Sequence, residues 1–191
     1  FMKEIKENSD RYNLGTFEYN SPYSDFAPSF YKEGLIFSSD RDTGNFAKYR
    51  HTWNAKDFLD LYKVNADSSS LNSVKKLGEN VNTRFHESTS VVTKDGQTLY
   101  FTRNNSEKKR TVKDDKGIVR LKILRAKLND EGLWGAVEEL PFNNDSYSVA
   151  NPALSPDEKT LYFVSDMPGT VGASDLFMVS INEDSTFGIP Q

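Results

Sequence analysis

The chain repeats itself, and the period is long. Asn20, Asn82 and Asn144 are spaced 62 residues apart, and so are Tyr23, Phe85 and Tyr147. A repeat of this size constrains the fold more than any single motif, because one unit cannot bury its own apolar face and has to stack on its neighbours. Each unit carries a short aromatic and β-branched run: Gly34-Leu35-Ile36-Phe37-Ser38, Thr98-Leu99-Tyr100-Phe101-Thr102 and Thr160-Leu161-Tyr162-Phe163-Val164. Runs this short suit strands rather than helices. Asp40, Asn104 and Asp166 follow them at a matched offset as turn-formers.

A further strand recurs as Leu61-Tyr62-Lys63-Val64, Ile123-Leu124-Arg125-Ala126 and Leu176-Phe177-Met178-Val179. Asn129 and Trp134-Gly135 reappear as Asn182 and Phe187-Gly188 after 53 residues, so the loop between second and third strands takes the insertions. About four short strands per unit make one blade of a β-propeller. The expectation is therefore an all-β chain of about three four-stranded antiparallel blades, part of a six- or seven-bladed propeller. Residues 1–23 read as the outer strand of a preceding blade or a linker, 24–85 and 86–147 as blades, and 148–191 as an incomplete blade. The competing arrangement is an open sandwich of three meanders.

Composition narrows the chemistry. Twenty-four basic and 28 acidic residues give a net charge of −4, which disfavours nucleic acid or an anionic membrane surface as the main partner. With no cysteine there is no disulfide framework or thiolate chemistry. No apolar run approaches transmembrane length, so direct membrane insertion is not expected. The chain has two histidines, His51 and His86, and no HExxH, GxSxG or paired-His spacing. No catalytic residue, metal ligand or cofactor is assigned. Asp60 and Asp175 open the third strand at matched positions where the second repeat has Lys122, and read as turn-bonding groups. A calcium site at Asp166 and Asp175 lacks dense alternating oxygen ligands. Trp134 and Phe187 read as packing between blades. Tyr23, Phe85 and Tyr147 do too, with the mouth of a channel as the alternative.

Binding belongs to loops that grow and gain charge on a rigid scaffold. The second-to-third connection of the first repeat holds Arg41, His51 and Trp53. Its counterpart in the second repeat holds Lys108, Lys109 and Arg110. These six are the candidate partner-binding residues, since Trp and Arg are enriched in binding hot spots.

Asn151-Pro152-Ala153-Leu154-Ser155-Pro156-Asp157 followed by Lys159-Thr160-Leu161-Tyr162-Phe163-Val164-Ser165-Asp166 resembles the TolB-type, WD-like propeller repeat. Ser24-Asp25-Phe26-Ala27-Pro28, Arg41-Asp42-Thr43-Gly44-Asn45-Phe46, Glu139-Leu140-Pro141-Phe142-Asn143 and Ser174-Asp175-Leu176-Phe177 resemble more narrowly the propeller of Bacteroidetes-type OmpA-family envelope proteins. That resemblance implies a non-enzymatic periplasmic scaffold, associated with the outer membrane, that links a type IX secretion or gliding complex to the cell wall. It implies an outer-membrane or periplasmic protein partner, and peptidoglycan contact only through a domain not in this chain. The alternatives are a propeller that gates or carries a hydrolase or peptidase, and one that binds a wall saccharide in its channel.

Overall fold

A computed structural model of the chain describes residues 15–41, 56–65 and 74–191. Among these residues the regular structure is all β. The strands are β1 (Asp25–Tyr31), β2 (Gly34–Ser39), β3 (Asp60–Asn65), β4 (Lys75–Lys76), β5 (Glu87–Val92), β6 (Thr98–Asn104), β7 (Ser106–Glu107), β8 (Arg110–Thr111), β9 (Leu121–Leu128), β10 (Trp134–Glu139), β11 (Val149–Leu154), β12 (Thr160–Ser165) and β13 (Asp175–Ser180). They form antiparallel sheets in the orders β1-β2-β3-β4, β5-β6-β9-β10 and β11-β12-β13, with β7-β8 as a separate hairpin. Beyond β13, residues 187–191 run along the third sheet, with Phe187 bridging Ile181, Gly188 bonding the Ser180 carbonyl and reciprocal bonds between Gln191 and Met178. These are β-propeller blades.

Strand alternation explains how the blades stack. Leu99 and Phe101 of β6, with Leu124 and Ala126 of β9, pack on Tyr31, Ile36 and Leu61 of the first blade. Tyr100 and Ile123 point the other way, onto Leu161, Phe163 and Val179 of the third. The middle sheet is therefore buried on both faces, which an open sandwich would not do. The first strands lie side by side, β1 against β5 and β5 against β11. Each carries a bulge at the matching place, between Phe26 and Ser29, Ser88 and Ser90, and Ala150 and Ala153. Ala27 and Asn151 take positive φ there, at 52° and 58°. A bulge adds twist and bends the strand, so the repeated bulge bends every first strand alike. Thr102 Oγ1 uses this geometry to bridge two blades, lying 2.8 Å from Thr89 Oγ1 and accepting the Asn151 amide at 3.0 Å.

The repeated turn-formers close the blades. Asp40, Asn104 and Asp166 accept the backbone amides of Ser24, His86 and Ser148 at 2.6, 3.2 and 2.6 Å. The asparagine repeat slips by one residue. Buried Asn82 accepts the Leu61 amide at 2.7 Å and donates to the carbonyls of Leu61 and Leu77 at 2.9 Å each. The residue that grips Ile123 in the same way is Asn143, at 3.0 and 2.7 Å. Asn144, which the period of 62 selects, is exposed and bonds the Ser146 amide. Residues 15–23, read as an outer strand or a linker, form turn and loop, with Tyr19 packed on Phe37, Tyr62 and Val64. Residues 1–14 lie outside the described residues.

Two stability measurements follow from this geometry. Asn143→Ala leaves Ile123 backbone groups without their partner and should lower unfolding free energy by roughly 1–3 kcal/mol. Asn144→Ala should stay within about 0.5 kcal/mol. Urea melts of the two variants test the slipped register. Ser185 holds φ 63° where the matching turn of the second blade has Gly132 at 74°. Removing its Cβ relieves left-handed strain, less the entropy a glycine loses on folding. Ser185→Gly should raise stability by up to about 1 kcal/mol, read as a higher thermal midpoint.

Candidate functional site

In an up-and-down blade, the start of strand one, the end of strand two, the start of strand three and the end of strand four share one rim. The charged rungs of this protein lie there. In the second blade Glu87, Arg103 and Lys122 sit opposite one another across β5, β6 and β9. Arg103 pairs with Glu87 at 2.8 Å, and Lys122 with Glu139 of β10 at 2.9 Å. In the first blade Ser39 stands opposite Asp25, and Arg41 supplies the guanidinium from two residues further on, at 2.6 Å. Asp60 pairs with Lys76 at 2.5 Å. The Asp60–Lys76 and Lys122–Glu139 pairs thus occupy matched places with their signs exchanged. In the third blade the position of Glu87 is taken by Val149, opposite Ser165.

Burial sets the protonation of the acids on these rungs. Glu87 is fully buried, and desolvation pushes its carboxyl up to about 7, although Arg103 and hydrogen bonds from Thr83 oppose the shift. Asp25 holds the equivalent position. Burial also acts to raise its pKa, but hydrogen bonds from Ser39, Arg41 and Ser21 outweigh it, and the carboxyl lies below its ordinary value. Lys122 is desolvated too, yet its bonds to Asp145 and Glu139 hold its pKa above the usual lysine value. Arg103, Asn104, Asn105, Ser106, Lys122 and Glu139 line a polar cleft of about 180 Å³ at this rim.

The six candidate contacts fall in three places. Arg41 turns inward, bonding Asp25, Ser39 Oγ and the Tyr19 carbonyl and lying over the Phe37 and Tyr62 rings. His51 and Trp53 lie outside the described residues. Lys108, Lys109 and Arg110 form the exposed turn of the β7-β8 hairpin. His86 is structural: its Nδ1 accepts the Leu59 amide at 3.1 Å and its ring lies 4.5 Å from that of Phe58. Asp166 is engaged by Arg120 and the Ser148 amide, and Asp175 by the amides of Val171 and Gly172.

Trp134 packs on Tyr31 of the first blade, and Phe187 on Tyr100 and Phe142. Phe85 is buried, Tyr147 bonds the Phe142 carbonyl and Tyr23 is exposed, so the three do not form a common ring surface. The exchanged ion pairs and the buried Glu87 were not picked out from sequence. The sign exchange was visible as Asp60 against Lys122, but its partners Lys76 and Glu139 are apparent only once β4 and β10 are placed.

No family model and no curated protein matches the chain. Among solved structures it is similar to a puromycin-hydrolysing peptidase of Mycobacterium tuberculosis, at 16% identity and TM-score 0.49, over 83% of this chain and 20% of that one. It is also similar to a puromycin hydrolase, at 12% identity and TM-score 0.48, over 90% of this chain and 32% of that one. The S511A mutant of puromycin hydrolase complexed with PGG matches at 12% identity and TM-score 0.49, with the same coverage. The chain spans a fifth to a third of the length of these proteins. They correct two expectations. The neighbours found are hydrolases, against the expectations of a non-catalytic envelope scaffold and of no enzyme, and neither expectation is carried further; a likeness of this strength bears on the fold and assigns this chain no activity. The comparisons give no support to an OmpA-family or TolB-type assignment. At these identities no residue role transfers to this chain.

The elevated pKa of Glu87 has a defined consequence. Its folded value, about 7, lies above the ordinary 4.5, so the fold holds this proton more tightly than the unfolded chain does. Its contribution to stability is full below about 4.5 and is lost as pH rises through 7. Urea unfolding across that window should show stability falling with pH from this group, and Glu87→Gln should flatten that component.

Proposed function

We propose that the chain is a stretch of the propeller domain of a hydrolase, a domain that carries the catalytic part and bounds access to it. The observation that carries this reading is the one-ended construction of the blades. The long second-to-third connections and the ion-paired rungs share one rim, while the opposite end has short turns at Lys32-Glu33, Lys94–Gln97 and Pro156–Lys159. Such a rim is rigid, polar and shaped by its loops, which suits seating a second domain. The groups on the ion-paired rungs are spent on structure. His86 holds the Leu59 amide, and among the described residues no three of His, Cys, Asp or Glu cluster to hold a metal. On this reading the reacting groups belong to the catalytic part that the propeller carries.

The finer likeness of residues 151–166 to a TolB-type repeat is supported by the Ser155–Thr160 turn. There Ser155 Oγ donates to Asp157 at 2.6 Å, and Glu158 takes φ 59°. The second blade repeats this turn with Thr93, Asp95 and Gly96.

Fluorophosphonate labelling of the natural protein that contains this sequence tests the proposal. Serine labelling outside residues 15–191, together with hydrolysis of aminoacyl-naphthylamides, is the expected result. Absence of both, or labelling confined to a blade serine, would overturn it.

A further inference from the structure

The β7-β8 hairpin is a small element built at some conformational cost. Ser106 pairs with Thr111 and Glu107 with Arg110, leaving Lys108 and Lys109 as a two-residue turn with φ 46° and 68°. Left-handed positions of this kind favour Asn, Asp and Gly. A turn that only had to reverse the chain would use them, whereas two lysines place charge at the tip against the backbone's preference.

The base of the hairpin is locked. Buried Asn105 donates its amide to the Arg120 carbonyl at 2.7 Å, accepts the Val112 amide at 2.9 Å and bonds Asp145 at 2.8 Å. Arg120 in turn bridges Asp114 and Asp166, at 2.7 Å each, tying the insertion to the third blade. The cations are exposed by contrast. Lys108 is 90% exposed and its nearest carboxylate, Glu107, is 3.6 Å away and itself 72% exposed. Among the described residues no carboxylate pairs with Lys109 or Arg110.

We propose that this hairpin is a docking site for an acidic peptide segment. A preorganised tip loses little entropy on binding, and Arg110 offers a planar fork that matches a carboxylate. A long nucleic acid fits less well, because the cationic array is only a few residues long and the chain's net charge of −4 repels an extended polyanion. The inference does not depend on hydrolysis by the parent protein, since its readout is binding alone.

Fluorescence anisotropy of the full chain with a labelled Asp/Glu-rich peptide tests it, against the matching Asn/Gln peptide at low and physiological salt. The acidic peptide should bind, weakening as salt rises, and the neutral one should not. Lys109→Glu with Arg110→Glu should weaken binding by about tenfold or more. Lys108→Gly with Lys109→Gly keeps the turn, so it should raise the thermal midpoint while also weakening binding. Equal binding of the two peptides, or unchanged affinity for the acidic one in either double variant, would overturn the proposal.

Discussion

The second strand of each blade has to be apolar on both faces, and the rest of the structure follows from that demand. β6 shows it most fully: Leu99 and Phe101 are completely buried against the first blade, and Tyr100 is buried against the third. Burying a side chain of this size contributes about 1.5–3 kcal/mol, and the contacts recur at every junction. A strand whose side chains alternate between two neighbours cannot slip by one residue without exchanging both sets. Blade packing and strand register are therefore the same constraint. The third blade shows the face that this demand leaves open, with Tyr162, Leu176 and Met178 at 36, 71 and 44% exposure.

Much of the charge lies at the strand ends, where apolar contacts between blades leave room for it; the mid-strand Arg125 of β9 is paired with Glu138. The ends then have to pair their charges, because partly dehydrated ions are costly alone. The second blade does this with Glu87–Arg103 and Lys122–Glu139, and the first with Asp25–Arg41 and Asp60–Lys76. Asp25 and Glu87 occupy one position in the repeat, yet their pKa values move in opposite directions. Asp25 keeps a little exposure and gathers hydrogen bonds from Ser21, Ser39 and Arg41, whereas Glu87 is fully buried and is bonded by Thr83 and Arg103.

The rim also separates what is structural from what is available. Arg41, His86, Asp166 and Asp175 have side chains of the kind that bind ligands, and each is committed to holding a loop or a blade. The β7-β8 hairpin differs, because its base is fixed and its cations are exposed to solvent.

The sequence by itself determined the repeat, the strands and the turns. These depend on local chemistry: side chains that suit a pleated sheet, and Asp or Asn at a fixed offset that can cap an amide whichever blade it belongs to. The roles of Asp40, Asn104 and Asp166 were legible for that reason. Tertiary structure decided what depends on a partner distant in the chain. Asn143 rather than Asn144 holds the third-strand backbone, because the residue that fits Ile123 is selected by geometry across 20 positions rather than by the period. Arg41 turns inward because Asp25 and two aromatic rings await it there, which its place in a polar loop did not reveal. Glu87 is fully buried beside Arg103 and Thr83, an environment that exists only once the strands and the loop before β5 are placed.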